Sequence, residues 1–165
     1  MSTAAELRPL LLRRPALTLA VAESLTAGQV QARIASVSGA SDYFLGGITA
    51  YSLEQKVKLL GVSRAHAKAV DCVSQRVAVE MAAGAARLFG ADLALATTGY
   101  AEPAPKKKVP IPHAWWALCH QHRGSAVVLS GFVEVVGADR VTVQERVAES
   151  VLAELVNYLQ ELRAG

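Results

Sequence analysis

Cysteine is nearly absent from this chain: Cys72 and Cys119 stand far apart in 165 residues, and neither belongs to a CxxC pair. That argues against a disulfide framework or a thiolate metal site and fits buried thiols in a reducing compartment. Long apolar runs are also missing, so no segment reaches the roughly 20 residues that cross a bilayer. Residues Met1 to Pro15 carry Arg8, Arg13 and Arg14 but lack a basic start followed by an apolar core and a cleavage site. They read as an amphipathic first helix rather than a signal peptide, so a cytoplasmic protein without a membrane partner is expected. Charged residues make up 19% against 52% hydrophobic ones, which excludes a disordered chain. Aromatics are only 5%, and no basic stripe interleaves with them. A net charge of +3 therefore suits an anionic small molecule, not nucleic acid. What remains is enough to build one domain over residues 1–165 with a proper core.

Apolar runs recur at Ala16–Ala22, Gly46–Tyr51, Asp92–Thr98, His113–His120 and Ser125–Val133, and these are the expected strands. Helical patterns lie between and after them at Ala27–Val37, Leu53–Leu60, Ser74–Phe89 and Asp139–Leu162. Alternation of the two indicates an α/β fold, a three-layer α/β/α sandwich. The short link Gln121 to Gly124 makes the last two strands a hairpin, so the mostly parallel sheet is mixed. The helix from Ser74 is rich in small residues, which allow close approach to a sheet or another helix, and Gly90 is its natural stop. The last helix carries Val143, Val147, Val151, Leu155 and Tyr158 at helical spacing, a stripe for the core or a subunit interface.

Three strand ends carry chemistry. The first runs Ala22-Glu23-Ser24-Leu25-Thr26-Ala27-Gly28, an apolar strand breaking into a carboxylate, two hydroxyls and a glycine before a helix. Ligands of open α/β sheets sit at such edges, and helix-start N–H groups hold anions or oxyanions. The same segment also reads as a plain helix cap by Ser24 or Thr26. The second runs Ala50-Tyr51-Ser52-Leu53-Glu54-Gln55-Lys56, with Ser52 placed as N-cap and Lys56 on the second turn. A cation near a helix N-terminus is disfavoured, and a lysine depressed in this way can act as a base toward serine. An exposed lysine on a solvated helix is the plainer alternative. If the first two strands are neighbours, Ser24, Tyr51 and Lys56 converge as a serine–lysine variant of the serine triad.

The third end is Thr97-Thr98-Gly99-Tyr100-Ala101-Glu102-Pro103, followed by a loop containing Lys106, Lys107, Lys108, Pro110 and Pro112. This loop reads either as a lid that attracts phosphate or as a solvated, semi-rigid connection. His120 and His122 alternate on one strand without a third ligand, so surface histidines are expected instead of a metal site. His66 also reads as surface, whereas His113 directly follows the basic loop. Trp115 and Trp116 point to opposite faces, and at least one belongs in the core.

In this order, the three segments resemble the CinA C-terminal domain family, whose enzymatic members are nicotinamide-mononucleotide deamidases. The family's Ala-Glu-Ser-x-Thr-Gly-Gly appears as Ala22 to Gly28, and its Tyr-Ser-Asn-x-x-Lys as Tyr51 to Lys56. Ser38 to Gly47, Leu60-Gly61-Val62, Val73-Ser74, Gly90-Ala91-Asp92 and Asp139-Arg140 with Arg146 also match in place. The resemblance implies an amidohydrolase that turns the nicotinamide amide into the carboxylate and releases ammonia, a reaction of NAD recycling. It implies Ser24 as nucleophile, Lys56 as base and Tyr51 as assistant. It places Glu23, Thr26, Gly28, Thr98 and Gly99 around the substrate, and requires neither metal nor cofactor. A small pyridine-nucleotide substrate and a homo-oligomeric assembly are the expected partners.

The chain departs from the family pattern at three places. Ala27 replaces a glycine, which matters if a positive φ is needed there. Leu53 replaces an asparagine near the lysine. The third motif loses every glycine after Gly99: Tyr100, Glu102 and the lysine loop stand in its place, and Pro112-His113 replace Gly-Thr. Glu102 would repel a phosphate there. Retention of Ser24, Tyr51 and Lys56 favours an enzyme, its substrate altered or not. The rebuilt loop favours a catalytically inactive paralogue that binds a ligand or a protein.

Overall fold

The computed structural model describes residues 3–165. Five strands form one mixed sheet: β1 (Leu19–Glu23), β2 (Phe44–Thr49), β3 (Leu93–Tyr100), β4 (His113–His122) and β5 (Ser125–Glu134), in the order β2-β1-β3-β4-β5. The pairs β1–β2 and β1–β3 are parallel, and β3–β4 and β4–β5 are antiparallel, so β4 alone runs against the others. The helices are α1 (Leu7–Leu12), α2 (Gln29–Ala35), α3 (Leu53–Leu60), α4 (Arg64–Ala69), α5 (Gln75–Phe89) and α6 (Arg140–Ala164).

Alternation along the central strands sorts large and small residues onto opposite faces. Leu19, Val21, Leu93, Leu95 and Leu118 face α1, α2 and α6, whose Leu7, Leu11, Ile34, Val147, Val151 and Leu155 fill that layer. Ala20, Ala22, Ala94, Ala96 and Ala117 face α5, which answers with Ala78, Ala82 and Ala85. An alanine-faced sheet against an alanine-faced helix permits a close approach. Gly84 extends the same logic sideways, since a Cβ there would run into the Leu60 backbone of α3. Trp116 is buried on the α6 side and Trp115 is partly buried on the α5 side.

The structure corrects several expected boundaries. The expected first helix is a 3-10 turn, Thr3–Glu6, leading into α1; Met1 and Ser2 lie outside the described residues. The helix expected from Ala27 begins at Gln29, because Ala27 (φ 48°) and Gly28 (φ 97°) are both left-handed. The second strand lies at Phe44–Thr49 and stops before Tyr51, because the Ala50 and Tyr51 carbonyls accept hydrogen bonds from Lys56. Helix α4 was not expected; Ser63 caps it by accepting from the His66 N–H. His66 is no idle surface residue, because its Nε2 lies 2.9 Å from the Ser74 hydroxyl that caps α5. His120, expected at the surface, is buried with Nδ1 2.6 Å from the Tyr158 hydroxyl, because α6 covers that face of β4.

Helix α2, between β1 and β2, packs on one face of the sheet, whereas α3 to α5, between β2 and β3, pack on the other. A crevice opens at the carboxyl ends of strands where the chain changes face in this way. Ser24, Tyr51 and Gly99 lie at that edge.

Candidate active site

Ser24 follows β1 directly and is 7% exposed. Its amide faces Thr97 Oγ1 at 3.5 Å, and Thr97 Oγ1 lies 2.8 Å from Thr26 Oγ1, a buried contact that fixes the turn. The Leu25 carbonyl accepts from Gln144 Nε2 at 2.9 Å, which ties the same turn to α6.

Lys56 sits on the second turn of α3 behind the Ser52 cap, as its spacing predicts, yet it is only 1% exposed. Its Nζ lies 2.9 Å from Ser24 Oγ, 2.9 Å from the Ala50 carbonyl oxygen and 3.1 Å from the Tyr51 carbonyl oxygen. Burial pushes the amine below its ordinary value, while Cys72 and Asp71 oppose that shift electrostatically. Desolvation penalises the charged form, so it is the dominant cause. The three contacts then have a chemical order. Carbonyl oxygens only accept, so a neutral amine gives its two N–H groups to Ala50 and Tyr51. Its lone pair is left facing the Ser24 hydroxyl. This is the geometry of a base poised on a serine nucleophile.

The other expected residues divide. Thr98 and Gly99 line the cavity with Ser24, Tyr51 and Lys56. The Thr98 hydroxyl nonetheless donates to the Cys72 carbonyl at 2.6 Å, and Gly99 lies so close to the β4 backbone that a Cβ would clash with His113 and Ala114. The Tyr51 hydroxyl accepts from Arg140 Nη2 at 2.7 Å, so it is the Tyr51 carbonyl that touches Lys56. Glu23, Thr26 and Gly28 stand behind the site. Glu23 is fully buried, and its carboxylate accepts the N–H groups of Gly28, Val30 and Gln31 at 3.1, 3.0 and 2.8 Å. The start of α2 is therefore capped from inside the chain, by neither Ser24 nor Thr26.

The cavity holds about 430 Å³ and is open to solvent. Its rim contains Asp71, which sequence reasoning did not single out. Asp71 accepts hydrogen bonds from Tyr100 Oη, at 2.9 Å, and from Lys107 Nζ. Burial alone would raise the Asp71 carboxyl, but the hydrogen bonds from Lys107 and Tyr100 outweigh it and the net shift is downward. Tyr100 is pushed up to about 12, first by burial and then by Asp71. Across the opening, Arg140 Nη1 donates to Glu102 at 2.7 Å. Lys107 of the basic loop thus faces the site, whereas the loop leaves the cavity unfilled. Asp71 and Cys72 both adopt left-handed backbone (φ 52° and 62°), which no local glycine announced. His113 stands beside the rim, its ring 5.3 Å from that of Tyr100. Among the described residues, no three His, Cys, Asp or Glu side chains are grouped to hold a metal ion, and no helix is long and apolar enough to cross a membrane.

Residues 2–159 match the family model described as the CinA C-terminal domain. A CinA-like protein of Chlorobium limicola is 38% identical over 154 residues, covering 92% of this chain and 36% of that protein. One from Picosynechococcus is 52% identical over 93 residues, 56% of this chain and 22% of that protein. The chain therefore spans about a third or less of the length of these curated relatives. Among solved structures, a CinA superfamily protein of Klebsiella pneumoniae superposes with a TM-score of 0.86 at 26% identity, covering 96% of each chain. One from Escherichia coli gives 0.83 at 28% identity, covering 93% of this chain and 87% of that one.

Proposed function

Since the chain belongs to the CinA C-terminal domain family, we propose that it is an amidohydrolase working through a Ser24–Lys56 dyad on the amide of a nicotinamide nucleotide or a related carboxamide. The observation that carries this reading is the buried Lys56 Nζ, which lies 2.9 Å from Ser24 Oγ with its other two contacts taken by carbonyl oxygens.

The chemistry balances within these groups. Lys56 takes the Ser24 proton as Oγ bonds to the amide carbon. The Lys56 ammonium then protonates the leaving nitrogen as the C–N bond breaks, giving ammonia and an acyl-serine. Water, deprotonated by Lys56, attacks the ester; the proton returns to Ser24 Oγ as the carboxylate leaves. The Ala27 N–H is engaged with the Ser24 carbonyl and the Gly28 N–H with Glu23. The amides of Leu25 and Thr26 are left for the oxyanion, and Leu25 lines the cavity. A role in NAD recycling, a cytoplasmic location, a homo-oligomeric state and a single domain over 1–165 belong to the same proposal.

Purified protein should release ammonia from nicotinamide mononucleotide or its dephosphorylated nucleoside. Ser24→Ala and Lys56→Ala should each lower that rate about 10³-fold or more. Release equal to that of the variants on both compounds would overturn the assignment. A second reading, a binding module without turnover, draws on Tyr51, whose hydroxyl is engaged by Arg140. Ligand binding without ammonia release would select it.

A further inference from the structure

Phosphate recognition needs an unengaged cation, a helix N-terminus with available amides, or a glycine nest. Around this cavity both rim cations are paired and two of the helix starts face a carboxylate. The rim cations Lys107 and Arg140 are bonded to Asp71 and Glu102, so the rim balances two positive side chains against two negative ones. Four helices begin at this edge of the sheet; α2 and α6 start on a carboxylate, α3 and α5 on a serine hydroxyl. Glu23 accepts three amides of the α2 turn and Asp139 the Thr142 amide of α6, while Ser52 and Ser74 accept the Gln55 amide of α3 and the Val77 amide of α5; Glu54, in the first α3 turn, is paired with Arg64. The loop after Gly99 carries no glycine before β4, so it offers no nest. A phosphate that reaches Lys107 or Arg140 meets a carboxylate, Asp71 or Glu102, already bound to that cation.

An uncharged or cationic ligand meets none of this opposition. The exposed ring of Tyr51 and the carboxylates of Asp71 and Glu102 suit a positively charged aromatic ring. We propose that Asp71 and Glu102 are specificity residues that direct the cavity to a non-phosphorylated carboxamide, the ribonucleoside level rather than the 5′-phosphate. This rests on the amidohydrolase reading and sharpens its substrate class.

The test compares nicotinamide riboside with nicotinamide mononucleotide, both by calorimetric binding to Ser24→Ala and by ammonia release from the unmodified protein. The riboside should bind about tenfold more tightly or better and be hydrolysed with the higher kcat/KM. In Asp71→Asn combined with Glu102→Gln, mononucleotide binding should rise about tenfold while riboside binding holds or weakens. Asparagine tolerates the left-handed backbone at position 71. Equal or tighter binding of the mononucleotide by the Ser24→Ala protein, with ammonia still released by the unmodified one, would overturn this proposal and leave the amidohydrolase standing. Absence of both binding and release with either compound would overturn the amidohydrolase reading itself, and this proposal with it.

Discussion

Lys56 has three groups within hydrogen-bond distance of its Nζ, and none of them is a carboxylate. A buried amine with no carboxylate in contact is held toward its neutral form, as a base requires. Activity should therefore rise with pH through the lowered Lys56 value, at a midpoint below 10.5, in a kcat/KM profile. Stability carries the same sign. The unfolded chain binds the extra proton between the lowered value and 10.5, so folding stability rises with pH across that window. Lys56→Met should flatten the stability profile, and an unaltered slope in urea titrations at several pH values would refute the assignment. Ala27 makes a separate point at the same scale. Its φ of 48° costs an alanine roughly 1–2 kcal/mol, partly offset by the greater entropy of an unfolded glycine. Ala27→Gly should thus stabilise the protein by about 0.5–1 kcal/mol, read as a higher denaturation midpoint.

Among the elements, α2 depends most on one side chain. Its N-terminal amides are received by Glu23, which arrives from the end of β1. Glu23→Gln keeps one acceptor oxygen and turns an NH₂ toward the remaining amides. It should cost about 1–3 kcal/mol in urea unfolding, and an unchanged midpoint would show that the cap is dispensable. The Glu of the Ala-Glu-Ser segment was legible as a site residue, but its role was not. Residue order puts Glu23 beside Ser24, whereas strand geometry sends neighbouring side chains to opposite faces. The end of β2 shows the converse. Its last two apolar residues read as strand, and only the fold shows their carbonyls turned onto a lysine of the next helix.

At the scale of the whole molecule, the cavity is assembled from the ends of β1, β2 and β3, the turn at Asp71 and the start of α6. A ligand that spans these parts stabilises them together. At about 100 times its Kd it should add about 2.7 kcal/mol, a Tm rise of roughly 5–10 °C for a chain of this size. The Ser24→Ala protein with nicotinamide riboside is the material for that thermal melt. A Tm that does not move at saturation would mean that the compound does not use this cavity.

By itself the sequence determined the α/β class, the hairpin, the positions of the long helices and the three strand ends that carry Ser24, Lys56 and Gly99. Each of these is written locally, in hydrophobic period, caps and turn residues. Only the tertiary structure decided that β1 lies between β2 and β3, so that Ser24 meets Lys56 of the next helix. The same packing paired Lys107 with Asp71 and Arg140 with Glu102, and it gave Glu23 to the helix instead of the ligand. Those outcomes depend on contacts between residues 32 to 73 positions apart or on the face a strand presents. Neither hydrophobic period nor residue type encodes them.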